Sequence, residues 1–389
     1  MVSLWGGGGK ELWNFPFACF RVALWQAMPI CFKSLQDMLA HGRDAVIDVR
    51  SPAEFAEDHV PGAINLPVLD NDERARVGTI YVQDSPFRAR KLGAALVFRN
   101  SANHIEQSLS HHDGGWQPLV YCWRGGQRSG SFAWMLQQIG WRAELIQGGY
   151  QSYRRLVKAY LYDQDLPFQL IALDGYTGSA KTELLHRIAA LGGQVLDLEG
   201  LANHRGSLLG GMAGPQPSQK AFETALASAL VQFDPARPIL VEAESSKIGD
   251  RIIPPGLWTA MKQAPRLEVT APVSARCRYL TQAYDDILSD SAELRKKLGY
   301  LRGHRSNAVI EHWFALIASG DKALLTQSLM EDHYDPSYLK SQRLTRQLNG
   351  QVPVAQVDLQ QMTETDLAQA AETILAIVER QLLEKQPPS

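Results

Sequence analysis

Short apolar runs alternate with helical patterns along this chain, and after residue 167 the alternation starts again. The runs at 45–49, 118–121 and 143–146 have the look of buried strands, and helical patterns lie at 52–57, 88–97 and 129–139. A polar helical stretch at 151–164 then runs to Pro167. Beyond it come strand runs at 168–173, 195–198 and 238–241, a helix opening near Lys181, a mostly helical part at 291–330, a last strand at 354–357 and a helix at 363–385. Strands separated by helices need crossover connections, and crossovers give parallel sheets. The chain is therefore expected to be α/β: one parallel-sheet domain over 28–150, a helical linker over 151–167, and a second α/β domain over 168–389 ending in helices. At about 150 residues per domain, 389 residues allow two or three such units.

Composition narrows the function classes. With 39 basic and 41 acidic residues the net charge is -2, which excludes a globally basic nucleic-acid binder but allows a local basic patch. The four cysteines, Cys19, Cys31, Cys122 and Cys277, form no CxxC pair. They suit neither a disulfide framework nor a structural zinc site, and a reducing cytoplasm is expected. The first 27 residues are rich in Trp and Phe but broken by Pro16 and Arg21. A membrane helix needs about 20 mostly apolar residues, so these read as a dispensable extension before Met28.

The run ending at Tyr121 leads into Cys122-Trp-Arg124-Gly125-Gly126-Gln127-Arg128, followed by an apolar helix. Two glycines let the backbone curl so that its N–H groups point inward, and the helix N-terminus adds positive potential. Such a cradle favours a thiolate and holds the oxyanion of an incoming group beside it. The expected chemistry is transfer of a sulfur-like atom, or of phosphate, through a covalent Cys122 intermediate. Cys122 is the nucleophile, Arg128 works with it, and Arg124, Gly125, Gly126 and Gln127 complete the anion cradle. A lone cysteine is more often a small buried apolar residue, but one flanked by two arginines and two glycines at a strand–helix turn is not. The segments around Asp48-Val-Arg50-Ser-Pro-Ala-Glu54, His59-Val-Pro-Gly62-Ala-Ile-Asn65 and Gln147-Gly-Gly-Tyr150 resemble the rhodanese domain, with Cys122 at its persulfide-forming position. Dual-specificity phosphatases share the Cys-x5-Arg loop but usually carry His where Tyr121 stands.

A second loop, Gly175-Tyr-Thr177-Gly178-Ser179-Ala180-Lys181-Thr182, follows a strand and opens a helix. This is the setting of a phosphate-binding loop, whose amides surround a diphosphate while Lys181 neutralises it. Thr182 could ligate Mg²⁺ or a phosphate oxygen. Ala180 replaces the second glycine of GxxxxGK[ST], which is tolerable if φ is negative there. Glu242 and Glu244, at the end of the 238–241 run, are candidates for Mg²⁺ or for a basic neighbour such as Lys247 or Arg251; solvated carboxylates are the ordinary alternative. Asn203, His204 and Arg205 lie between glycines as in a binding loop, although His204 alone would suit a hydrogen-bonded loop residue. The segment from Gln216 to Glu223 could be a helix cap. Between 294 and 310 stand Arg295, Lys296, Lys297, Arg302 and Arg305 with no acidic residue and with Tyr300 and His304 among them. That mixture suits an RNA backbone and an unstacked base, or equally a solvated helix face.

With YCWRGGQRSGS, GYTGSAKTELL, LEGLANHRGS, QPSQKAFE and VEAESSKIG in this order, the chain resembles the tRNA 2-selenouridine synthases from Met28 onward. The resemblance implies conversion of wobble 2-thiouridine to 2-selenouridine in tRNAs for Lys, Glu and Gln, through S-geranyl-2-thiouridine. It implies that the 175–182 loop holds geranyl diphosphate, that selenophosphate supplies selenium, and that Cys122 carries it. Trp123 or Tyr150 would receive the base, line the geranyl pocket, or simply pack. No tightly bound cofactor is implied, Mg²⁺ is optional, and a selenophosphate-supplying enzyme is a candidate partner; neither DNA nor membrane is. The alternatives are a sulfurtransferase fused to a regulatory NTPase, and a non-catalytic tRNA-binding protein.

Overall fold

The computed structural model describes residues 29–243, 245–340 and 352–385. The 1–27 extension and Glu244 lie outside the described residues. In the first half, strands β1 (Ala45–Asp48), β2 (Ala63–Asn65), β3 (Pro118–Tyr121) and β4 (Glu144–Leu145) form a parallel sheet in the order β2-β1-β3-β4. β3 is buried throughout, which is why it reads as an unbroken apolar run. Helices α1 (Leu35–Leu39) and α2 (Pro52–Glu57) precede and follow β1. α2 opens with a Ser51–Glu54 capping box and Pro52.

Two helices, α3 (Asn71–Gln83) and α4 (Pro86–Gln107), form a long hairpin between β2 and β3. α3 has no buried residue, so no apolar stripe announces it; its Asp70–Glu73 capping box marks the start instead. α4 runs well beyond the expected 88–97, because its inner face continues through Ser101, whose hydroxyl bonds back to Val97 O. α5 (Gln127–Ile139) follows the cysteine loop and stops at left-handed Gly140.

The expected linker is instead part of a packed helix, α6 (Gly149–Tyr162). Tyr150, Tyr153, Val157 and Leu161 recur at helical spacing and are all buried. They join one apolar core with Val46 and Leu119 of the first sheet and Leu226, Leu230 and Ile239 of the second half.

The second sheet is parallel and ordered β11-β10-β5-β7-β6. Its strands are β5 (Leu170–Gly175), β6 (Gln194–Leu196), β7 (Ile239–Glu242), β10 (Arg266–Thr270) and β11 (Ala355–Asp358); β8 (Lys247–Ile248) and β9 (Arg251–Ile252) make a separate antiparallel pair. β10 escapes the sequence reading because only Leu267 and Val269 face fully inward, between Arg266, Glu268 and Thr270. Helices α7 (Lys181–Ala190), α8 (Leu198–Ala202), α9 (Gln219–Gln232) and α10 (Pro255–Gln263) cover this sheet, with the C-terminal helix on the side of α7. A helical cap follows: α11 (Val273–Ala283), α12 (Asp285–Ser289), α13 (Ser291–Gly299), α14 (Asn307–Ser319) and α15 (Lys322–Leu329), around a core centred on Trp313. The last helix is α16 (Glu364–Lys385). Among the described residues no helix is long and apolar enough to cross a membrane.

Candidate active site

Cys122 sits at the carboxyl end of β3, 3% exposed. Its Sγ accepts hydrogen bonds from the Gly126 N–H at 3.3 Å and from the Ser129 hydroxyl at 3.2 Å. Ser129 was not among the expected site residues, although it is the first apolar-face residue of α5. The loop can curl only because Gly125 holds φ +66° and Gly149 holds φ +59°. A Cβ on Gly149 would stand 2.2 Å from Cys122 O. In that space the start of α6 donates from Tyr150 N to Cys122 O (2.8 Å) and from Gln151 N to Trp123 O (3.0 Å). Cys31, Cys122 and Cys277 are free thiols.

Arg128 does not reach the sulfur. Its Nη1 donates to Glu54 Oε2 at 3.0 Å, and Arg74 approaches the same carboxylate at 3.8 Å. Burial works against the charge on Glu54, yet Arg128 holds its carboxyl below the usual range. Arg124 and Gln127 are exposed at the mouth of the loop. Behind it the Asp48–Arg50 pair is wholly buried, with Arg50 Nη2 at 2.6 Å from Asp48 Oδ2 and 2.6 Å from Asp58 O. The guanidinium lies 4.0 Å from the Tyr150 ring centroid, and Trp123 packs on Tyr150. Tyr150 and Trp123 thus belong to this scaffold, remote from the second loop's cavity.

In that second loop, Gly175 (φ +155°) and Gly178 (φ +83°) are each indispensable. A Cβ would meet Val269 O at 2.5 Å in the first case and Leu280 Cδ1 at 2.6 Å in the second. Ala180 corrects the sequence expectation: its φ is +56°, left-handed, not negative. The strain costs an L-residue about 1 kcal/mol, and the loop keeps its shape because Ala180 O closes the first turn of α7 by accepting from Leu184 N. Lys181 Nζ folds across the loop onto Gly175 O (2.9 Å), and Thr182 Oγ1 donates to Glu199 Oε2 (2.8 Å). Gly178, Ala180, Lys181 and Thr182, with Thr177 and Ser179, line a cavity of about 560 Å³. Its polar side includes His186, Asp197, Glu199 and Arg205; Tyr279, Leu280, Ala283, Tyr284 and Tyr334 form an apolar wall. A narrow apolar cleft of about 30 Å³, between Leu209, Leu288, Leu329 and Met330, continues from that wall.

The helical cap clasps this loop. Arg276, 3% exposed, donates to Thr177 O (3.1 Å), binds Asp335 through both terminal nitrogens and lies over Tyr176. Tyr338 OH donates to Asp174 Oδ1. Arg276, Tyr284 and Tyr338 lie outside the segments that the sequence singles out, and no short motif marks them.

Glu242 also corrects the reading. It is fully buried beneath α8, accepts from Leu198 N at 3.1 Å, and its other oxygen has no partner. Burial, then Asp197 and Glu199, push its pKa well above the ordinary value; its partner is the Leu198 amide, and it is neither a solvated carboxylate nor paired with Lys247 or Arg251. Asn203 is the left-handed cap of α8, and its amide holds Ala213 O and Pro215 O. His204 Nδ1 accepts from Gly206 N, so both build the loop that brings Arg205 to the cavity. Gln216, Ser218 and Gln219 cap and pin α9, as a capping segment would.

The 294–310 cations are mostly engaged within the chain. Lys296 and Lys297 face Glu293, Arg302 binds Glu311 (2.7 Å), Arg295 lies on Phe314, and Arg305 donates to backbone carbonyls. Among the described residues no cluster of three or more His, Cys, Asp or Glu is arranged for a metal ion.

Two family models match the chain: the rhodanese-like domain over residues 32–156 and the tRNA 2-selenouridine synthase AAA domain over residues 168–308. Among curated relatives, the tRNA 2-selenouridine synthase of Hahella chejuensis is 34% identical over 326 residues, covering 75% of this chain and 84% of that one. That of Alcanivorax borkumensis is 34% identical over 331 residues, covering 75% and 88%. That of Nitrosomonas europaea is 37% identical over 243 residues, covering 61% and 63%.

Proposed function

The chain belongs to the tRNA 2-selenouridine synthase family, and from that premise we propose that its two loops carry out the two halves of a sulfur-for-selenium exchange on wobble 2-thiouridine in tRNAs for Lys, Glu and Gln. The single observation that carries the reading is the pairing, on one chain with a shared apolar core, of a buried cysteine cradle with a phosphate-type loop that opens onto an apolar wall.

At the phosphate loop, geranyl diphosphate would set its diphosphate among the amides of residues 177–182, with Lys181 turning from Gly175 O to the phosphate and Arg205 facing it. The geranyl chain would lie along Tyr279, Leu280 and Tyr284 and point towards the cleft at Leu329 and Met330. Such a wall, continued by the apolar cleft, suits a ten-carbon prenyl chain. The thiocarbonyl sulfur attacks the first carbon of the geranyl group and diphosphate leaves. Alkylation turns sulfur into a good leaving group. Mg²⁺, if used, would be held by Thr182 and the diphosphate oxygens, not by a carboxylate cage. At the second site the Cys122 thiolate, held by Gly126 N–H and Ser129, would attack C2 of the alkylated base and expel geranylthiol. The selenium of selenophosphate would then displace Cys122 from C2, and water would cleave the Se–P bond to leave phosphate and 2-selenouridine.

Mass spectrometry of nucleosides from thiolated tRNA, incubated with and without geranyl diphosphate and selenophosphate, tests this. Wild type should give S-geranyl-2-thiouridine with the first alone and 2-selenouridine with both. Cys122→Ser should stop at the geranylated nucleoside, and Lys181→Ala should slow its formation at least tenfold. Selenouridine made by the Cys122→Ser protein would end the covalent role; ATP hydrolysis without tRNA modification would favour the sulfurtransferase–NTPase alternative.

A further inference from the structure

The α3–α4 hairpin and the outer face of α5 build a groove that continues outward from the cysteine loop. It is about 610 Å³ in volume and opens beside the cysteine loop, with Gln127, Arg128 and Ser131 at one end and Arg74, Arg90 and Tyr81 along its length. A second hollow of about 440 Å³ shares Gln127 and Ser131 with it and is walled by Phe98 and Trp134. Among the described residues no acidic one lines either hollow. Glu54 offsets part of the charge from behind, bound to Arg128 and near Arg74. Arg90 has a backbone carbonyl, Pro86 O, as its partner.

Aromatic side chains are left in water here. Trp134 is 53% exposed and Phe98 43%, their rings meeting edge to face at 6.5 Å; Tyr81 and Phe87 are exposed on the same hairpin. The arrangement follows from α5's periodicity. Phe132, Ala133 and Leu136 turn inward, so Gln127, Gly130, Ser131 and Trp134 share the opposite side, one helical face running from the cysteine loop to the tryptophan. Exposed aromatic faces beside arginines whose charge Glu54 offsets only in part fit unstacked bases joined by phosphates, whereas a duplex would hide its base faces.

We propose that this surface docks the unpaired loop of the RNA substrate, stacking bases on Trp134 and Phe98 and placing phosphates near Arg74 and Arg90, so that the target nucleotide reaches Cys122. The assignment rests on Cys122 being the selenium site. It places RNA recognition for that step on the hairpin, which adjoins the cysteine loop and carries the exposed aromatics, and not on the 294–310 segment.

The test uses the full chain and a fluorescein-labelled RNA stem-loop the size of an anticodon arm, with an RNA duplex of equal length as comparison. Anisotropy should show the stem-loop bound tighter than the duplex, and Trp134→Ala, Phe98→Ala and Arg90→Glu should each weaken it about tenfold at unchanged thermal midpoint. On a geranylated stem-loop the same variants should raise KM about tenfold with kcat within twofold. Stem-loop affinity equal to wild type in all three variants overturns the proposal. So does an equal loss of duplex binding, or a change of oligomeric state by light scattering, which would make the face a contact between copies of this chain. The binding arm stands even if wild type makes no selenouridine, an outcome that would instead end the Cys122 reading.

Discussion

Gly149 shows how tightly single residues constrain the cysteine loop. A Cβ there would overlap Cys122 O and Gly125 N, and φ is +59°. Gly149→Ala should therefore cost about 2–4 kcal/mol and push the loop off α6. Chemical denaturation should show the stability loss, and selenium transfer should fall while geranylation persists. Glu242 gives a second residue-scale outcome. Its carboxyl binds a proton in the folded state well above the ordinary 4.5. More protons bound when folded means that its contribution is full below pH about 4.5 and is lost as pH rises through the folded value. Glu242→Gln cannot ionise and can still accept from Leu198 N. Its thermal midpoint should match wild type near pH 4.5 and exceed it by a margin that grows towards pH 8. A constant difference across that range would show that Glu242 is ionised in the fold.

At the scale of elements, what was legible depended on how strongly each segment's burial imprints on its residues. β1, β3, β5 and β7 are largely or wholly buried, so their apolar runs stand out, and the two glycine-rich loops stand at the ends of β3 and β5. β10 alternates and α3 buries nothing, so neither leaves such a trace. α6 is legible as a helix, but its packing is masked by polar neighbours, while Tyr150, Tyr153, Val157 and Leu161 keep a helical stripe that marks a buried face. The site divides the same way. Local chemistry marked Cys122 and the 175–182 loop, whereas the clasp of Arg276 on Thr177 joins residues 99 apart, a contact that only the tertiary packing of α11 creates. Removing this clasp tests its role. Arg276→Ala leaves Thr177 O and half-screened Asp335 without their partner, at about 2–3 kcal/mol. Calorimetric titration with inorganic diphosphate should show weaker binding, with Cys122 alkylation by iodoacetamide unchanged in rate. Undiminished diphosphate affinity would mean that the cap is packing alone.

On the scale of the whole molecule, the two sheets are joined by more than chain connectivity. Asp58, 2% exposed, accepts from Tyr150 OH at 2.7 Å and from Thr224 Oγ1 at 3.1 Å, and Tyr153 OH reaches the same Thr224. Around it Lys220 binds Glu57, Arg154 binds Glu223, and Ser218 donates to Glu57 O. The apolar stripe of α6 fills the space beneath, in a core shared by both halves. Buried polar groups of this kind are costly unless all partners are in place, so neither half can open here without stranding the other's hydroxyls. Scanning calorimetry of the full chain should accordingly show one cooperative unfolding transition. Asp58→Ala, which strands both hydroxyls, should destabilise by about 2–4 kcal/mol and move that transition as a whole. Tryptophan fluorescence from the Trp141 region of the first half and Trp313 in the helical cap, separated by Trp→Phe variants, should then shift together. Two transitions in wild type, with only one displaced by Asp58→Ala, would show instead that the halves fold independently; one common shift would show that the buried Asp58 junction couples them into a single cooperative unit.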